Sequence, residues 1–171
     1  IKVLPPNINK SQNSFAPFPE KKEILFGFSA VKGLGDSIIA QIIDNQPYQS
    51  FTDFISKVKD RSATISLIKD GAFTTNKKME LMNKYAELLY EPREYSPVST
   101  LPTKAKLLAD WDINTEDYKV GKKVDKEAVL EIYNRKKKEK FDQEEKIRHD
   151  SFMSEFQQKY CQEEELWEFQ T

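Results

Sequence analysis

Ser29-Ala30-Val31-Lys32-Gly33-Leu34-Gly35-Asp36-Ser37-Ile38-Ile39-Ala40-Gln41-Ile42-Ile43 decides how this chain is read. Ile38, Ile39, Ile42 and Ile43 recur at helical spacing,. Ahead of them two glycines bracket one leucine. Glycine enters positive φ and has no Cβ, so an outside group can come close to the backbone. The first amides of the following helix have no intrahelical partners and carry the positive end of its dipole. A phosphate fits such a bend. Leu34 is expected to point inward and pin the bend, Lys32 to set a mobile positive charge at its rim, and Ser37 to join Gly33 and Gly35 as a phosphate contact. Asp36 opposes an anion at the mouth; its alternative role is to cap the helix. The bend reads no base edges, so it suits proteins that act on any sequence. A plain turn between packed helices is the competing reading.

Working outward, Ser50 and Asp53 resemble a capping box that opens a helix carrying Phe51, Phe54, Ile55 and Val58,. Thr64 is a cap candidate for a third helix with Ile65, Leu67 and Ile68, and Gly71 sits where a helix C-terminus needs positive φ,. A fourth helix follows with Met79, Met82, Tyr85, Ala86 and Leu89. Upstream, Ile1 to about Pro19 reads as extended, since Pro5-Pro6 forces β or polyproline geometry on the residue before each proline. Glu23–Phe28 reads as a short strand paired with the stretch around Phe15. Downstream, Pro92, Pro97 and Pro102 mark a linker, and Lys104–Trp111 a short helix. From Lys122 onward there is no Gly or Pro. Val129, Ile132 and Tyr133 form one apolar patch and Phe152, Phe156 and Tyr160 another, with almost only charged residues between. That pattern predicts a long exposed helix or a helical pair.

The expected fold is therefore mainly α: a tandem helix-hairpin-helix unit with a short N-terminal β-hairpin, followed by long charged helices. The expected segments are 1–28 (extended, short strands), 29–90 (helix-hairpin-helix), 91–121 (linker with a short helix) and 122–171 (charged helical segment).

Among 171 residues, 38% are hydrophobic and 32% charged, which favours a modest core with an extended solvated portion,. No apolar run approaches the ~20 residues of a membrane span, so no membrane partner is expected, and the lone Cys161 reads as a reduced thiol of a cytoplasmic protein,. A chain that opens on Ile1 and closes on Leu166-Trp167-Glu168-Phe169 reads as a piece of a longer protein. The lone Cys161 excludes an internal disulfide and cysteine-built metal clusters, and His149 sits among helix-surface residues, so Ser-His-Asp and Cys-His chemistry are poor fits,. Residues 1–90 hold 12 basic and 9 acidic side chains, the remainder 15 and 19. Neither half announces nucleic acid by charge alone.

Two further stretches mimic sites. Asp110-Trp111-Asp112-Ile113-Asn114 looks like a calcium loop, but Thr115 stands where that loop needs Gly and Gly121 where it needs a bidentate Glu,. Arg135-Lys136-Lys137-Lys138-Glu139-Lys140 could track phosphates, but acidic residues interrupt and follow it, and pairs such as Lys140 with Glu144 suit an exposed helix,.

Four blocks, in order, resemble a known family: Val3-Leu4-Pro5-Pro6-Asn7-Ile8-Asn9-Lys10-Ser11, Ile24 to Gly35, Phe51-Thr52-Asp53-Phe54, and Leu67-Ile68-Lys69-Asp70-Gly71-Ala72-Phe73. They are similar to the replicative DNA polymerase III alpha subunit of bacteria and phages (C-family, DnaE type) over about residues 1–90. The resemblance implies the end of the fingers leading into a tandem helix-hairpin-helix domain that lies on duplex DNA beside the clamp-binding region. It implies a first hairpin at Lys32, Gly33, Leu34 and Gly35, and a degenerate second one at Lys69, Gly71 and Ala72. Where the family continues with Asp, this chain has Thr74. It also implies that the palm carboxylates and their Mg2+ ions lie outside this chain, leaving no catalytic residue, metal ligand or cofactor here. The expected function is then non-catalytic, a fragment of a DNA-directed DNA polymerase (a nucleotidyltransferase) that holds double-stranded DNA non-specifically through backbone phosphates. Its expected partners are that duplex, the rest of the polymerase chain, and the sliding clamp or other replisome proteins. The alternative is a protein-interaction module whose hairpins serve only packing. A repair glycosylase of the helix-hairpin-helix type fits poorly, for want of a convincing Lys/Asp pair. Gln162-Glu163-Glu164-Glu165-Leu166-Trp167-Glu168-Phe169 has the ingredients of a clamp-binding peptide at the wrong spacing, and 122–160 looks like a lineage-specific insertion.

Overall fold

A computed structural model describes residues 1–74, 77–162 and 167. Six α-helices are seen among them: α1 Asp36–Asp44, α2 Phe51–Lys57, α3 Arg61–Lys69, α4 Lys78–Leu89, α5 Lys104–Trp111 and α6 Lys126–Tyr160. Strands are short: β1 Lys2–Leu4, β2 Ala16–Phe18, β3 Glu23–Leu25, β4 Lys119–Val120 and β5 Lys123–Val124. The mainly helical class with a small N-terminal sheet is as the sequence predicts. Contacts divide the chain into two units, Ile1–Leu89 with Glu155–Thr171, and Tyr90–Ser154.

In the first unit β2 and β3 form the expected antiparallel hairpin, and β1 adds to it in parallel, Val3 opposite Ile24. The strand expected over 23–28 stops at Leu25, because Phe28 starts a 3-10 turn and is fully buried. The core beneath α1 to α4 gathers Ile8, Phe28, Val31, Ile39, Ile42, Tyr48, Phe54, Val58, Leu67 and Ala72. Phe54 meets Tyr48 and Phe73 edge-on at 5.0 and 5.1 Å. Residues 7–11 are stitched across this core: the Ile8 amide donates to Ala72 O (2.9 Å), Gln46 Nε2 to Ile8 O (2.8 Å), and Ser11 Oγ to Phe26 O (2.7 Å). These bonds satisfy an arm that has no secondary structure of its own.

Helix starts follow the capping logic with two corrections. Ser50 Oγ accepts from the Asp53 amide (3.1 Å) as expected, but the Asp53 carboxylate returns to the Gln49 amide (2.9 Å) rather than to Ser50. The cap of α3 is Asp60, which accepts from Ala63 N (2.8 Å); Thr64 lies inside the helix, buried, its hydroxyl bonded back to Asp60 O. A hydroxyl that reaches the preceding turn's carbonyl can live in a helix interior.

The second unit is built on α6, a single helix of 35 residues and therefore about 50 Å long,. Leu107, Ile113, Val129 and Tyr133 form its small core. Asp110 and Trp111 end α5, Asp112 caps it at φ +54, and Asn114 caps the next turn, so the acidic mimic is a helix terminus. A two-residue hairpin, β4–β5, turns at Gly121 with φ +66. Residues 90–93 are strapped to α6 by Glu145: the Tyr90 hydroxyl, the Arg93 amide (3.2 Å), Arg93 Nε (3.1 Å) and Arg148 Nη1 (3.1 Å) all donate to it. The Tyr90 hydroxyl first, then the Arg93 amide and guanidinium and the Arg148 charge, overcome the penalty of burial and hold this carboxyl down at about 2.

Two expectations follow. Gly27 has φ −85, yet a Cβ there would lie 2.5 Å from the main chain of Asn13 and Ser14. Gly27→Ala should cost about 1–3 kcal/mol by urea denaturation. Glu145 has a depressed folded-state pKa, so the stability it contributes is complete above the ordinary 4.5 and is lost as pH falls toward about 2,. A carboxyl-detected NMR titration should find its midpoint near the lower value, and a midpoint near 4.5 would contradict the strap.

Candidate functional site

The bend between the 3-10 turn Phe28–Ala30 and α1 is held from below. Val31 and Ile39 are buried, and Leu34 and Ile38 pack half-buried on the same cluster. Each buried aliphatic side chain contributes roughly 1.5–3 kcal/mol. Above them Lys32, Gly33, Gly35, Asp36 and Ser37 are all exposed. The inward leucine and outward lysine are thus where the sequence reading puts them.

The two glycines differ in kind. Gly33 sits at φ +90, and a Cβ there would lie 3.4 Å from Ser66 Oγ of α3. Its conformation calls for glycine, whereas that distance is an ordinary contact,. Gly35 has φ −82 and ψ 163, extended backbone open to any residue, and an added Cβ meets nothing within 4 Å. No steric contact inside the fold demands a glycine at this position.

Gly35 is also the N-cap of α1, and no side chain caps that end. Asp36 therefore occupies the first helical position instead of capping the helix. The first bond of the ladder runs from the Ile39 amide to Gly35 O (3.0 Å). The amides of residues 36–38 precede it, at the positive end of the helix.

The second hairpin, α3–turn–α4, has another arrangement. The Ala72 amide donates to Leu67 O (3.0 Å) and the Gly71 amide to Ile68 O (3.2 Å), with Gly71 at φ +79. This double bond is the Schellman closure of a helix C-terminus. Ala72 is fully buried and its carbonyl receives Ile8 N. Lys69 lies 5.1 Å over the Trp167 ring, and Lys78 Nζ donates to Lys69 O (2.6 Å) and to Trp167 O. Burial pushes the Asp70 carboxyl up, with Lys78 acting the other way. Of the expected second-hairpin residues, Gly71 and Ala72 have their amides committed within the fold. Thr74, where the resemblance leads one to expect Asp, takes φ +54, a region uncommon for a β-branched residue. The Gln162–Phe169 stretch falls largely outside the described residues.

No group of three or more His, Cys, Asp and Glu suited to a metal is found among the described residues, and no helix there is long and apolar enough to cross a membrane.

The 3-10 turn, the glycine-bracketed bend and α1, followed by the α3–turn–α4 hairpin, fit a helix-hairpin-helix unit, and residues 1–80 match the family described as "Helix-hairpin-helix motif". The chain resembles the corresponding part of DNA polymerase III alpha subunits. It is 46% identical over 81 residues to DNA polymerase III subunit alpha of Deinococcus radiodurans, covering 43% of this chain and 6% of that protein. It is 39% identical over 80 residues to the subunit of Thermus aquaticus, 42% of this chain and 6% of that one. A probable DNA polymerase, YorL, of Bacillus subtilis is 34% identical over 107 residues, 59% of this chain and 8% of the relative. The aligned stretch is thus less than a tenth of each of these relatives.

The geometry separates the glycines experimentally. Gly33→Ala should cost roughly 1–2 kcal/mol, because a Cβ at positive φ is strained. Gly35→Ala should cost less, about 0.5–1 kcal/mol, because its φ is ordinary and only the poorer N-cap tells,. Chemical denaturation of the two variants side by side checks this.

Proposed function

We propose that the first hairpin holds duplex DNA without regard to sequence, by presenting the amides at the start of α1, with Lys32 and Ser37 beside them, to a backbone phosphate. Gly35 carries the reading. Glycine is a favoured N-cap, but no contact inside the fold excludes a side chain there, whereas a phosphate resting on these amides needs that space empty. The relatives supply the context, since their names are those of DNA polymerases. In a polymerase of that kind this segment would be a non-catalytic grip on the product duplex, with nucleotide transfer and its Mg2+ ions in other domains. Those other domains, and a clamp or other replisome protein, are the partners that reading implies. The second hairpin supports the grip by packing, since its turn amides close α3 and receive the N-terminal arm instead of facing outward.

A titration of labelled duplex at several salt concentrations tests this. Log affinity should fall against log salt with a slope of about −0.9 for each phosphate held. Gly35→Val should remove binding while leaving the chain folded, and Asp36→Asn should strengthen binding by lifting the carboxylate from the mouth. Unchanged affinity in folded Gly35→Val would show that the duplex binds elsewhere or not at all.

A further inference from the structure

Ser66 belongs to α3, the first helix of the second hairpin, yet its side chain meets the first bend. Its Oγ lies 3.4 Å from the place of a Cβ on Gly33, an ordinary contact distance. Elsewhere in the same helix the Thr64 hydroxyl bonds back to Asp60 O (2.8 Å). The Ser66 hydroxyl makes no such bond and has no hydrogen-bond partner among the described residues. No fully buried side-chain N or O among those residues lacks a partner, so this half-buried residue keeps its oxygen open to solvent. The amides of Gly33 and Gly35, both exposed residues, likewise donate to no described acceptor. Three free donors thus gather about the bend, two from its own backbone and one from α3.

We propose that Ser66 is a further phosphate contact of this bend, its hydroxyl donating to the same DNA phosphate that the bend amides hold. The inference rests on the duplex reading of the first hairpin and adds the residue by which α3 takes part in it. Lys32 and Asp36 offset one another at the mouth, so the free donors rather than net charge choose the ligand. An anionic oxygen is the acceptor that such donors bind most strongly. Gly33 and Gly35 are two residues apart, at most about 7 Å. A phosphate accepting bonds of about 2.8 Å on two of its oxygens spans that gap. Glycine at position 33 then serves beyond its φ, because a side chain there would lie over the hydroxyl. A hydroxyl is neutral and releases no counterion, so it adds affinity without adding salt dependence.

The test titrates the full chain with labelled mixed-sequence duplex at several salt concentrations, comparing the parent with Ser66→Ala, Ser66→Thr and Gly35→Val. Ser66→Ala should bind at least about fivefold more weakly, with the salt slope of the parent. Its urea midpoint should be equal or higher, since the hydroxyl bonds to nothing in the fold and alanine is the better helix former. Ser66→Thr keeps the hydroxyl and should recover most of the affinity. Parent affinity in Ser66→Ala beside lost binding in Gly35→Val would remove the Ser66 contact and leave the bend as the site. A shallower salt slope or a lower urea midpoint in Ser66→Ala, or no recovery in Ser66→Thr, would also overturn the contact. Full affinity in folded Gly35→Val would overturn the duplex reading of the bend, and the Ser66 contact with it.

Discussion

Burial of Val31 and Ile39, with Leu34 half-buried beside them, beneath a bend whose upper residues are exposed is the constraint from which the rest of the first unit follows. An unpaired amide is tolerable only where water or a ligand can reach it. A rigid outward display of amides therefore needs its support from the apolar side. The core supplies that support from four directions: Phe28 before the bend, Ile42 along α1, Phe54 from α2 and Leu67 from α3.

The two hairpins show how one sequence signature serves two ends. Both contain a glycine at positive φ, yet the amides of Gly71 and Ala72 turn inward to close α3, while those after Gly35 precede the ladder of α1. The N-terminal arm accounts for part of the difference, because Ile8 takes up the Ala72 carbonyl and covers that turn. The alternative of hairpins used for packing describes the second one well.

Much of this was legible in the residues. The spacing of Ile38, Ile39, Ile42 and Ile43 places α1, the Ser50–Asp53 pair places α2, and Gly71 marks the end of α3, because each depends on neighbours within a few residues. The inward Leu34 and the exposed Lys32 were legible for the same reason. Features set by distant partners were not. β1 exists only through parallel pairing with β3 across some twenty residues, and three residues are too few to show alternation. Asp60 and Thr64 are both capping types, and burial rather than type decides between them. The direction in which the Gly71 and Ala72 amides point depends on the arm at Ile8.

The central claim is that the amides leading into α1 meet a sugar–phosphate backbone. An amide NMR titration of the chain with a short mixed-sequence duplex addresses it residue by residue. The account predicts that the signals of Gly33, Gly35, Asp36 and Ser37 move together, to the same extent with a second unrelated sequence, while those of Gly71 and Ala72 stay fixed. Stationary signals at residues 33–37 under conditions where the duplex is bound would contradict it.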